Sequence, residues 1–146
     1  MRFVLTDGEE APTYPVQGDF YTVALRGSKH EAAHGPRPRT VIVMDFVGQK
    51  GLSIEHEANS DGDLWAQLRA AARRVGKQSA FPDEERGGVL DDHIPFVRRG
   101  IPAIDLIDFD YDCWQKVCDT LDKLSVRSID ASGESVLELI RELRRR

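Results

Sequence analysis

The chain has 146 residues, 40% of them hydrophobic and 31% charged, which is enough for one core and predicts a single domain over residues 1–146. Its formal net charge of -5 excludes a general nucleic-acid binder, and no apolar run is long enough to span a bilayer. Residues 1–6 lack the long apolar core and small-residue cleavage site of a signal peptide and read instead as an abrupt β-strand, leaving the compartment open.

Residues 3–5 predict a short strand ending at Asp7-Gly8-Glu9-Glu10, where Gly8 permits a sharp turn that presents carboxylates at the strand end. Taken alone, the two glutamates read as a solvated acidic turn before a site. Residues 11–18, with Pro12 and Pro15, read as a loop. After apolar residues 20–25, residues 26–34 predict a short helix capped by Ser28 and stopped by Gly35-Pro36. His30 and His34 share one face of it, but with no acidic or cysteine partner in the helix they read as solvated rings.

Residues 40–44, nearly all apolar and β-branched, predict a strand buried on both faces that delivers Asp45 to its carboxyl end. Asp45 suits either a site or a bond to loop amides. Ser60-Asp61-Gly62-Asp63 begins a helix whose stripe of Leu64, Leu68, Ala71, Ala72 and Val75 ends at Gly76. Residues 81–88 read as a polar loop leading to Asp91-Asp92-His93, the densest polar cluster of the chain. That cluster runs through Gly100-Ile101-Pro102 into a strand over residues 103–107, interrupted only by Asp105. Open α/β sheets place their ligand sites in loops of this kind.

Residues 108–119 are acidic and aromatic, the composition of a pocket rim, although burial of Trp114 is the plainer reading. Cys113 and Cys118 flank Trp114 and admit either a local disulfide or two free thiols; their spacing is not that of a zinc knuckle. Ser125 or Ser128 caps a final helix with Ile129, Val136, Leu137, Ile140 and Leu143 as its stripe, and the closing Arg141, Arg144, Arg145 and Arg146 complement its dipole. Strand and helix signals alternate, so the predicted class is α/β, a mostly parallel sheet with helices on both faces.

Asp7-Gly8-Glu9-Glu10, Val43-Met44-Asp45-Phe46-Val47-Gly48, Asp91-Asp92-His93-Ile94-Pro95-Phe96 with Arg99-Gly100-Ile101-Pro102, and Trp114 before Asp119-Thr120 occur in one order. Together they resemble the catalytic half of the zinc aminopeptidase superfamily, in its glutaminyl cyclase-like branch. The resemblance implies an α/β/α sandwich lacking the family's N-terminal strands, zinc as cofactor, and peptides with a free amino end as substrates. It maps the general base to Glu9, metal ligands to Glu10 and Asp45, an acidic hydrogen-bond network to Asp91 and Asp92, and pocket walls to Trp114, Gln115 and Phe96. Hard carboxylates suit zinc, and a non-ligating glutamate suits proton movement beside it.

Two positions depart from the family. Gln115, a neutral amide, stands where the family places a histidine ligand. The family draws a further histidine and a bridging aspartate from before the acidic pair, where this chain has six residues ahead of Asp7. Three readings follow: an enzyme at peptide N-termini, a non-catalytic domain that keeps the acidic cleft for binding or assembly, and a piece of a longer active protein. The abrupt first strand also predicts an unpaired sheet edge and self-association through it.

Overall fold

The computed structural model describes residues 1–13 and 15–145; Tyr14, within the expected loop 11–18, and Arg146, the last terminal arginine, lie outside them. The elements are α1 (Phe20–Val23), α2 (Arg26–His34), β1 (Val41–Met44), β2 (His56–Glu57), α3 (Gly62–Arg74), β3 (Glu85–Arg86), α4 (Ile94–Val97), β4 (Ala103–Leu106) and α5 (Val126–Arg145). β1 and β4 pair in parallel, Val41 beside Ala103 and Met44 beside Leu106, and the short β2 and β3 pair in parallel as well. β3 falls in the expected loop 81–88 and β2 in a stretch without a predicted element, because two-residue strands leave no alternation to detect.

Alternation along β1 and β4 sends side chains to two cores. Ile42, Ile104 and Leu106 meet Leu64, Trp65 and Leu68 of α3 and Val136 and Leu139 of α5. On the other face Val41 and Ala103 meet Ala32 of α2, Phe96 of α4 and Ile101. Helices thus cover both faces of a parallel sheet, as the alternating pattern predicts. Each fully buried Leu or Ile contributes roughly 1.5–3 kcal/mol to that packing.

Several expectations need correction. Residues 2–5 form no strand: their main-chain groups pair with none of the described residues, and Phe3 and Leu5 are 82% and 99% exposed. β-propensity without a neighbouring strand does not make a sheet. β1 is half-buried rather than buried on both faces, because β4 is its single neighbour among the described residues.

Ser28 does not cap α2. The N-cap is Leu25, in the left-handed region at φ 53°, and Ser28 is buried in the first turn, donating to the Leu25 carbonyl at 3.2 Å. In α3 the cap is Asp61, whose carboxylate accepts from Leu64 N–H at 2.8 Å, and Gly76 at φ 73° follows the helix end as expected. Ser125 caps α5, its hydroxyl accepting from Ser128 N–H at 3.3 Å. Of the expected α5 stripe, Val136, Ile140 and Leu143 pack on the core, whereas Ile129 and Leu137 are 49% and 40% exposed; Ala131 and Leu139 are buried in their place with Ser128, Ser132 and Ser135. Cys113 and Cys118 form a disulfide.

Candidate functional site

The acidic turn is built as the start of α2. A helix N-terminus leaves its first amides without partners, and here Leu25, Arg26 and Gly27 donate to the carbonyls of Glu9, Gly8 and Asp7 at 2.9, 2.9 and 2.8 Å. Gly8 at φ 67° makes the turn, and a Cβ on Gly27 would collide with the Asp7 backbone, so both positions require glycine. Arg26 adds a bond to the Glu10 carbonyl at 3.1 Å. Glu9 and Glu10 therefore leave a backbone that is tied down at three consecutive carbonyls.

Other carboxylates reach the same place from the sheet and from the loop before α4. Asp45 follows β1, and its Oδ1 accepts from Phe46 N–H at 2.7 Å across a turn in which Phe46 has φ 43°. Asp91 accepts from Asp92 N–H, and Asp92 accepts from the Thr6 hydroxyl, which joins this loop to the acidic turn. Asp91 and Asp92 are buried.

The electrostatics show that these groups share one field. Burial pushes Glu9 from 4.5 up to about 7, helped by the charges of Asp91, Glu10, Asp92 and Asp45. Asp45 rises from 3.8 to about 6 through burial and then Asp91, with the Phe46 N–H opposing. Burial also raises Asp91, against the stabilising Asp92 N–H. Among the described residues none of Glu9, Glu10, Asp45, Asp91 and Asp92 is ion-paired with Lys, Arg or His.

Beneath Asp91 lies a fully buried trio that the sequence reading did not assign: Glu57, His93 and Asp105. His93 Nε2 lies 3.1 Å from Glu57 Oε2, and His93 Nδ1 lies 3.5 Å from Asp105 Oδ2. Glu57 Oε1 accepts from Asn59 N–H, the Asn59 amide and Val89 N–H at 3.0, 2.8 and 2.8 Å, and Oε2 from the Ser60 hydroxyl at 3.0 Å. Burial alone would keep Glu57 protonated, but His93 and these amides outweigh it and hold the carboxyl down at about 2. Asp105 goes the other way: burial, then the charges of Asp91, Asp45 and Glu57, push it well above the carboxylate range. Asp105 was legible as a charged residue inside an apolar strand, and His93 as the neighbour of two aspartates. Glu57 sits in a polar run without periodicity and carried no signal.

The predicted pocket residues divide. Trp114 is half-exposed and stacks obliquely on Phe109 with ring centroids 4.8 Å apart, in the loop closed by the Cys113–Cys118 disulfide. Gln115, at φ 51°, turns its amide onto Glu10 Oε1 at 2.6 Å. Phe96, expected in a pocket wall, packs in the core between α2 and α4, because the preceding Ile94-Pro95 starts α4 and turns this face inward. His30 and His34 are exposed, with their rings stacked 4.5 Å apart.

Zinc does not fit this donor set. Among the described residues no three His, Cys, Asp or Glu side chains are placed to hold a metal, and Glu10 is engaged by an amide instead. The acidic cluster does offer carboxylates to a cationic group, with Glu9 able to give or take a proton near neutral pH.

Comparison with known proteins agrees with the fold. Residues 1–140 match the model of Peptidase family M28. Mouse glutaminyl-peptide cyclotransferase-like protein is 26% identical over 144 residues, covering 82% of this chain and 37% of that protein. The crystal structure of an Acidobacteriales bacterium glutaminyl cyclase superposes with a TM-score of 0.84 at 34% identity, covering 93% of this chain and 50% of that one. A Zn-dependent exopeptidase from Parabacteroides distasonis gives 0.80 at 25% identity, with coverages of 92% and 52%. The chain therefore spans about half, or less, of the length of these relatives.

Proposed function

Because the chain belongs to Peptidase family M28, we propose that its acidic cleft receives the free amino end of a peptide, and that it does so as a binding or assembly domain. The fold matches about half of a glutaminyl cyclase and about half of a Zn-dependent exopeptidase. The reading rests on one observation: Glu9, Glu10, Asp45, Asp91 and Asp92 converge without a paired cation among the described residues, while Gln115 donates to Glu10. Like charges that raise one another's proton affinity are relieved by a cation, and a peptide ammonium supplies one without any metal. Trp114 and Phe109 offer an apolar surface beside that charge for the first side chains of the peptide.

Calorimetric titration with a tripeptide bearing a free amino end, beside its N-acetylated form, tests this. The free form is expected to bind at least about tenfold more tightly at pH 7.5, which corresponds to roughly 1.4 kcal/mol. Its affinity is expected to fall toward pH 5 as Glu9 and Asp45 take up protons. Equal affinity for the two forms would overturn the reading.

An enzyme acting on peptide N-termini is the second reading, and the joint presence of Glu9, Glu10, Asp45 and Asp91 in one cleft favours it. It requires zinc to survive desalting at near-stoichiometric level, measured by mass spectrometry, and to be lost in Glu10→Ala. The expected result is little retained zinc, with more in Gln115→His, which replaces an amide by an imidazole ligand beside Glu10.

A further inference from the structure

Residues 107–120 hold no helix or strand, yet they carry Trp114 and Gln115 beside the acidic cluster. Among the described residues 109–120, only Cys113 is buried. Burial therefore does not keep this loop in shape. Its internal hydrogen bonds run from Trp114 N–H to Tyr111 O, Lys116 N–H to Cys113 O and Asp119 N–H to Lys116 O, each at 3.0 Å, and lie at the surface where water competes for them. What remains is the covalent tie between Cys113 and Cys118, five residues apart, and both Trp114 and Gln115 lie inside the ring it closes.

We propose that the Cys113–Cys118 disulfide is a redox latch for the acidic cluster: closed, it holds Gln115 on Glu10 and Trp114 beside that charge; opened by a dithiol reductant, it releases both. The contact it controls is direct, because Gln115 Nε2 donates to Glu10 Oε1 at 2.6 Å. Gln115 makes that contact from φ 51°, a left-handed conformation that a residue with a side chain leaves once nothing holds it there. Between Tyr111 and Thr120 this is the hydrogen bond that ties the loop to the rest of the described residues. Phe109 and Asp110, ahead of the ring, are held separately by Arg86, whose guanidinium lies 5.2 Å from the Phe109 ring centroid and 3.6 Å from the Asp110 carboxylate. Opening the ring therefore frees the Trp114 and Gln115 end and leaves the Phe109 end in place. Cys118 is partly exposed and Cys113 buried, so a thiolate of the reductant attacks Cys118 Sγ; a mixed disulfide forms there, and Cys113 leaves as a thiolate that takes up a proton. The second thiol of the reductant then displaces Cys118 as a thiol and closes the reductant's own disulfide, so that two electrons pass to the two cysteines. A disulfide oxidant runs the exchange backwards and resets the latch.

Control of the cluster rests on the amine-binding reading; the latch itself does not. The test uses the intact chain before and after dithiothreitol, beside the double variant Cys113→Ser, Cys118→Ser, which cannot close the ring. Circular dichroism establishes that each is folded. The side-chain amide resonances of Gln115, assigned by their loss in Gln115→Ala, report its contact with Glu10, and calorimetry gives the dissociation constant of the free-amino tripeptide. In the oxidised chain the Gln115 amide proton is expected downfield of that of a free glutamine. On reduction, and in the double variant, it is expected to move to the free position while tripeptide binding weakens about tenfold, as loss of an oriented charge-assisted contact does. Reoxidation with glutathione disulfide is expected to restore both in the parent and neither in the double variant. A folded, reduced chain whose Gln115 resonances keep their oxidised positions overturns the proposal, and so does an unchanged tripeptide affinity after those resonances have moved. Unfolding of the whole chain on reduction overturns it as well, because the disulfide is then a staple of the fold and not a local latch. If the oxidised chain binds free and acetylated tripeptides equally, the amine-binding reading falls, and the Gln115 resonances alone decide whether the latch exists.

Discussion

At the scale of single residues, opposed proton affinities set how stability depends on pH. Glu9 rises from 4.5 to about 7 and Asp45 from 3.8 to about 6, so the folded chain holds these protons more tightly than the unfolded one. Their stabilisation is complete below the unfolded values and is lost as pH climbs through 6 and then 7. Glu57 is lowered from 4.5 to about 2; its contribution is present above 4.5 and lost as pH falls through 2. The urea midpoint is therefore expected to peak near pH 4–5 and to fall between pH 5 and pH 8. Glu9→Gln, which cannot ionise, should flatten the upper part of that fall. A parent midpoint that stays constant from pH 5 to pH 8 would contradict the linkage. Glu9, Glu10, Asp45, Asp91 and Asp92 were legible because each ends or interrupts an apolar segment, where a carboxylate must be explained. Their mutual proximity was not, since it arises from the way the acidic turn caps α2 and Thr6 bonds Asp92.

At the scale of elements, α3 was legible from the helical period of its apolar residues, and β1 and β4 from short apolar, largely β-branched runs bounded by loop residues. α5 keeps the expected Val136, Ile140 and Leu143 on the core but shows where period alone goes wrong, at Ile129 and Leu137. Its interior is made of small and hydroxylated residues, Ser128, Ala131, Ser132 and Ser135, which let α3 approach and satisfy their hydroxyls on carbonyls such as Ala131 O at 2.7 Å from Ser135 Oγ. A hydrophobicity pattern scores those serines as surface, and so moves the stripe toward Ile129 and Leu137. Leu139, fully buried against α3, is where the energy lies. Leu139→Ala is expected to cost about 2–5 kcal/mol and Leu137→Ala less than about 1, read from urea midpoints at constant slope. Similar losses in the two variants would mean that α5 is rotated about its axis so that Leu137 also faces the core. The N-terminal segment failed for a different reason: residues 2–5 have strand-forming side chains, but strand formation is a property of pairs, and no partner lies beside them among the described residues.

At the scale of the whole molecule, the same absence of a partner leaves an edge. In the parallel ladder Val41 and Asp45 donate to Pro102 and Leu106 of the β4 side, each at 2.9 Å, so the alternating main-chain groups of Ile42 and Met44 point to the opposite edge. β4 is guarded on its far side, where Asp61 N–H and the Ser60 hydroxyl bond Ala103 O and Asp105 N–H at 2.8 and 2.9 Å. β1 has no such cover among the described residues, and the 42% exposed Met44 stands at its end with an apolar side chain. An open apolar edge of this kind pairs with another chain unless a charge or a proline blocks it. A second copy of the chain is accordingly expected to dock there, giving weight-average mass in sedimentation that rises over tens of micromolar, roughly the range in which small interfaces associate. Met44→Lys adds a charge at the edge without touching the cores, and is expected to hold the chain at the monomer mass with an unchanged melting temperature. Association that persists in Met44→Lys would place the contact elsewhere, with the exposed Phe3 and Leu5 the next surface to charge. Because β1 delivers Asp45 into the cleft, pairing along it would also stiffen that carboxylate, so peptide affinity and association are expected to rise together with protein concentration in the parent and to separate in Met44→Lys.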